Sequence, residues 1–140
     1  MKSELEVAYL ATIYRVFLPQ GAIDLRIART DPSFSRWLAL EGVTSWCILT
    51  AWNPESRRLE EDENAERQSA LEVALLERGF EPYAGENLAS DESWPPEQTC
   101  LVPDISLAEG VAFGRKFKQN AIIHGGSDGM PHLIWVGGES

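Results

Sequence analysis

One run constrains this chain more than any other: Val43 through Trp52 is apolar but for the small hydroxyls of Thr44, Ser45 and Thr50, with no acid or base in ten residues. A strand with one wet face alternates apolar and polar residues, whereas an unbroken apolar run needs cover on both faces. The run is therefore expected at the centre of a sheet with packing on two sides. Asn53-Pro54 ends it, because proline has no N–H to give to a central ladder. Covering such a strand takes a real core, and 140 residues that are 44% hydrophobic and 24% charged can supply one. The expectation is a single α/β domain over residues 1–140.

The flanking patterns fill in the layers. Glu4 to Ile13 reads as a short opening helix. Tyr14–Leu18 and Ala22–Ala28 read as strands turned by Pro19-Gln20-Gly21 into an antiparallel hairpin. Thr30-Asp31-Pro32 supplies a capping side chain and a proline for the first helical turn, predicting a helix that stops near Gly42. The spacing of Glu63 to Arg78 predicts the longest helix, closed by Gly79. Strands are expected at Phe80–Tyr83 and Thr99–Ile105, the second shortened by Pro103, with a long polar loop from Ala84 to Gln98 between them. Ser106 and Glu109 form a capping box for a helix to about Lys118. On that helix Gly110 and Gly114, one turn apart, permit close packing on a sheet. A terminal hairpin, Ala121–Ile123 with His132–Val136, would turn about Gly125–Gly129. This order predicts an α/β (α+β) fold: one mixed sheet of about six or seven strands with two to three packed helices.

Charge narrows the partners. Twelve Lys and Arg face 22 Asp and Glu, a net charge of -10. Residues 79–114 carry seven acids and no base, while the only dense basic cluster is Arg115, Lys116 and Lys118. A nucleic-acid partner is not expected, since phosphate contacts need basic side chains gathered on one face. The acidic segment reads as a solvated face, or as a docking surface for a basic protein partner. No apolar run reaches the ~20 residues of a membrane span and the first residues lack a signal-peptide core, so the reading is cytoplasmic with no membrane partner. Cys47 and Cys100 lie 53 positions apart in apolar runs, which fits buried free thiols rather than zinc or redox spacing.

Four strings are more specific: Thr50-Ala51-Trp52-Asn53-Pro54, Glu63-Asn64, Trp94-Pro95-Pro96-Glu97 and Phe117-Lys118-Gln119-Asn120-Ala121-Ile122. In this order the chain resembles the bacterial family known as domain of unknown function 3293, from about Tyr14 to Ile123. The likeness departs at Lys118, where the family pattern would have Gly at a turn. It implies a small bacterial cytoplasmic protein and no particular activity.

Candidate chemistry centres on the longest predicted helix. Asn64, Gln68, Leu71 and Leu75 fall on one stripe, apolar below and amide above. The two amides should meet Asn53 in one depression where the apolar strand ends, the usual place for a ligand crevice in an α/β sheet. Trp94 and Glu97, from the polar loop, and Gln119 complete a candidate site for a small polar ligand. Structural roles compete: Asn64 as a cap, Gln68 as a partner for a loop carbonyl, Asn120 at a helix end and Trp94 as a plug. A third reading is an enzyme with Glu63 or Glu97 as acid–base residue. His124 and His132 would be cross-strand neighbours, but two histidines without a further ligand make no metal centre, so neither metal nor cofactor is expected. No nucleophile elbow and no phosphate-binding glycine loop occurs.

Overall fold

In the computed structural model, which describes residues 3–137, the chain alternates four helices with seven strands. In chain order these are α1 (Glu4–Ala11), β1 (Ile13–Leu18), β2 (Gly21–Leu25), α2 (Pro32–Glu41), β3 (Ser45–Leu49), α3 (Glu61–Glu77), β4 (Tyr83–Leu88), β5 (Glu97–Pro103), α4 (Leu107–Lys116), β6 (Ala121–Gly126) and β7 (His132–Trp135). The strands form one sheet in the order β2-β1-β4-β5-β3-β6-β7, and every neighbouring pair runs antiparallel. The fold is thus α+β. Helices and strands are mixed along the chain, while strand direction alternates from each strand to its neighbour across the sheet.

The apolar run does sit inside the sheet with both faces covered. Trp46 and Ile48 belong to one core, with Phe34, Trp37 and Leu38 of α2. Cys47 and Leu49 point the other way, into a second core with Leu71 and Leu75 of α3 and Phe113 of α4. The period-two alternation of a strand divides one apolar run between two layers. α1 packs on the first face through Tyr9 and Leu10, and Tyr9 meets Trp135 edge to face at 5.6 Å.

Local signals account for the helix ends. Asp31 accepts from the Phe34 N–H, and Gly42 closes α2 at φ 68. Gly79, at φ 88, follows α3, where its N–H bonds the Leu76 carbonyl and that of Phe80 the Leu75 carbonyl. The reciprocal Ser106–Glu109 box opens α4. A Cβ on Gly110 would lie 2.5 Å from Cys47 Sγ, so glycine lets this helix rest directly on β3.

Two boundaries correct the sequence reading. The apolar run leaves the ladder at Leu49, three residues before Trp52, because side chains take over the backbone of 51–53, as described below. More consequential is β4. The residues expected to open a polar loop form this strand, displaced from the expected Phe80–Tyr83, and it lies between β1 and β5. Ala84-Gly85-Glu86-Asn87 has little intrinsic strand preference, but two flanking ladders supply the hydrogen bonds that make it one. The loop proper shrinks to residues 89–96. The apolar patterns place Val16, Leu25, Ile27, Leu38, Ile48, Leu49, Leu71, Leu75, Leu101, Val111, Phe117, Ile122 and Ile134 in the core, and of these only Val111 and Ile134 are partly rather than fully buried.

Candidate functional site

The four quoted strings meet where the chain leaves β3. The Ala51 N–H donates to Gln68 Oε1 at 2.9 Å, and the Ala51 carbonyl accepts from Arg67 Nε at 2.7 Å. Asn53 N–H donates to Asn64 Oδ1 at 2.8 Å, and Gln119 Nε2 donates to the Trp52 carbonyl at 3.1 Å. Arg67 also reaches the Phe117 carbonyl and so ties α3 to the end of α4. Burial lowers the Arg67 pKa, but the two carbonyls give its guanidinium partners. Side chains of α3 thus do for residues 51–53 what a neighbouring strand does for β3. Asn53, Asn64 and Gln68 do converge, but beneath the surface rather than in an open depression: all three are at most 5% exposed.

Asn53 links this buried network to a cavity. Its Oδ1 accepts from Asn64 Nδ2 and the Leu59 N–H, and its Nδ2 donates to Glu97 Oε2 at 2.7 Å. The same carboxylate oxygen accepts from Trp94 Nε1 at 2.8 Å. Among the described residues no group donates to Glu97 Oε1. Asn53, Trp94, Glu97 and Gln119 line a cavity of about 410 Å³ between α1 and the first face of the sheet, whereas Asn64 and Gln68 lie outside its wall. Leu5, Ala8 and Tyr9 of α1 form one side, and Ile48, Ile123 and Leu133 of the sheet the other.

Tyr14 and Asn87, two wall residues beside Glu97, lay outside the sequence reading of the site. Tyr14, Asn87 and Glu97 stand opposite one another across β1, β4 and β5. Their common face was hidden because β4 reads as loop, and only the period-two placement of Gly85 and Asn87 hinted at it. Tyr14 donates its hydroxyl to the Tyr9 carbonyl at 3.2 Å. Burial, and then the nearby Glu97 charge, push the Tyr9 phenol up to about 12; Tyr14 is raised further, first by burial. Beside the cavity the backbone is unusual. Asn53, Glu55 and Ser56 all have positive φ, as does Lys118, whose carbonyl accepts from the Glu55 N–H at 2.7 Å. The glycine expected at position 118 is thus replaced by a residue that still adopts the left-handed turn.

The other candidates fall elsewhere. Glu63 is exposed on α3, so of the two candidate acid–base residues only Glu97 reaches the cavity. His124 and His132 are cross-strand partners, with His124 Nε2 3.1 Å from Ser45 Oγ. Among the described residues no group of three or more His, Cys, Asp or Glu could hold a metal ion. Within the acidic segment, Glu86 pairs with Arg15 and Glu109 with Arg78, so part of its charge is neutralised inside the molecule. Among the described residues no helix is long and apolar enough to cross a membrane.

An antiparallel α+β domain with an aromatic-walled cavity under its first helix is the class that fold and site define. Residues 49–122, more than half of the chain, match the family model described as protein of unknown function (DUF3293), and the chain belongs to that family. No curated protein and no solved structure matches it significantly. The matched stretch holds the whole buried network and, within the cavity wall, Asn53, Trp94, Glu97 and Gln119.

Proposed function

We propose that this protein binds a small organic molecule in the cavity between α1 and the sheet. The observation that carries this reading is the wall itself. Aliphatic and aromatic side chains make up much of the wall around a volume of about 410 Å³, and within it Asn53, Asn87, Trp94 and Glu97 bring polar groups together at one point. That composition and size suit a ligand pocket, where apolar area supplies affinity and a few polar atoms fix orientation. A buried network behind Asn53 supports it, because a carboxylate held from one side is already oriented before a ligand arrives. Left-handed backbone at Asn53, Glu55 and Ser56 adds support, since strained segments gather at binding sites. The reading assigns the protein to the reducing cytoplasm, supported by Cys47 and Cys100 being buried and free.

A thermal-shift screen against charged and neutral metabolites tests this, with tryptophan fluorescence as a second signal. A ligand at about a hundred times its dissociation constant should add roughly 2.7 kcal/mol of stability. Ala8→Trp, which adds an indole to the α1 side of the cavity wall, should abolish the shift. A shift that survives this substitution, or a screen without any shift, would count against the cavity as the binding site.

A further inference from the structure

We infer that the ligand of this cavity carries a cationic amino group, held at the Glu97–Asn87 end of the wall. The inference rests on the cavity being a ligand pocket and specifies the chemistry of its occupant. Glu97 and Asn87 are register partners on β5 and β4, which sets their side chains next to each other on one face, with Cβ atoms roughly 5 Å apart. Each presents an acceptor without a donor. Glu97 Oε2 is occupied by Asn53 and Trp94, which leaves Oε1. Asn87 Oδ1 is buried and has no hydrogen-bond partner among the described residues.

Two adjacent open acceptors, one of them charged, call for a group with several donors and a positive charge. An ammonium fits both requirements. The described wall contains Glu97 and Asp91 and no Lys or Arg, and the Arg58 guanidinium lies over the Trp94 ring, 5.2 Å from its centroid, so an anionic ligand would meet acids in the wall itself. Tyr9, Tyr14, Trp52 and Trp94 also line the cavity, and aromatic rings favour cations over anions. The apolar remainder, with Ile48, Ile123 and Leu133, suits a hydrocarbon or aromatic body on the same molecule. The occupant is thus an amphipathic amine: a cationic head at β4–β5 and an apolar tail along the sheet.

Three probes of one shape separate charge from fit: phenethylamine, 2-phenylethanol and 3-phenylpropanoate, titrated by calorimetry into the full chain. Phenethylamine should bind best and 3-phenylpropanoate least. Glu97→Gln retains an oxygen to accept from Asn53 and Trp94 but removes the charge, and it should weaken the amine about tenfold or more while leaving the alcohol unaffected. Asn87→Asp adds a second carboxylate at the same point and should tighten the amine, so the assignment does not depend on one variant folding. Equal binding of all three, or preference for the anion, overturns the amine assignment and leaves the pocket reading in place. Amine binding unchanged in both variants overturns it as well. If none of the three binds at millimolar concentration, both readings fail.

Discussion

Lys118 shows how one residue can report on backbone geometry. It sits at φ 58 just after α4, in a region where a side chain costs about 1 kcal/mol and glycine is free of that cost. Its side chain is exposed, and the bond from Glu55 uses only its carbonyl. Lys118→Gly should therefore stabilise the protein by about 0.5–1 kcal/mol, the relief of strain exceeding the added freedom of the unfolded chain. Urea denaturation would register this as a higher midpoint at unchanged slope. A lower midpoint would mean that the lysine stem contributes packing that outweighs its strain. The family resemblance flagged this position in the sequence, but that the turn survives without glycine was not readable there. A left-handed residue other than glycine is a compromise that surrounding contacts impose.

At the scale of elements, the unexpected feature is a helix standing in for a strand. Asn64, Arg67 and Gln68 of α3 satisfy three backbone groups of residues 51–53, so the exit from β3 needs no ladder. Asn64→Leu is nearly isosteric yet leaves the buried Asn53 N–H without an acceptor. It should cost about 1–3 kcal/mol in chemical denaturation, more than an exposed α3 substitution such as Glu63→Gln. A loss below half a kcal/mol would mean that water replaces the amide and that the network is not rigid. The stripe of Asn64, Gln68, Leu71 and Leu75 was legible in the sequence because helical periodicity is local. Which groups the amides would serve was not, since their partners are 11 and 17 residues away along a chain whose path they help to set.

For the molecule as a whole, the two-layer core predicts sensitivity to alkali. Burial, and then Glu109, push the Cys47 thiol up to about 12, and burial raises Cys100 as well. Tyr9 and Tyr14 are raised in the same way. Above the ordinary thiol value near 9, the unfolded chain releases protons that the folded chain retains, so folded stability falls as pH rises. The contribution is fully present below pH 9 and is lost toward the folded value of about 12, at up to roughly 1.4 kcal/mol per pH unit per thiol. Denaturation at pH 8 and pH 10.5 should show a clear loss in the parent protein. Cys47→Ala with Cys100→Ala should flatten it between pH 9 and 10, before the phenols contribute. An unchanged slope in the double variant would show that the thiols are not the source.

The sequence alone determined the central buried strand, the helix caps, the amide stripe of α3 and the α+β class. Each follows from interactions within a few residues or from an apolar pattern that water enforces on any fold. The tertiary structure alone decided that residues 83–88 are a strand, that all neighbouring pairs run antiparallel, and that a cavity opens under α1. It also divided the amides between a buried network and a cavity wall. A weak strand former becomes a strand when two ladders need a partner, and a cavity is the space left between elements that meet only after folding. Neither property belongs to any segment taken by itself.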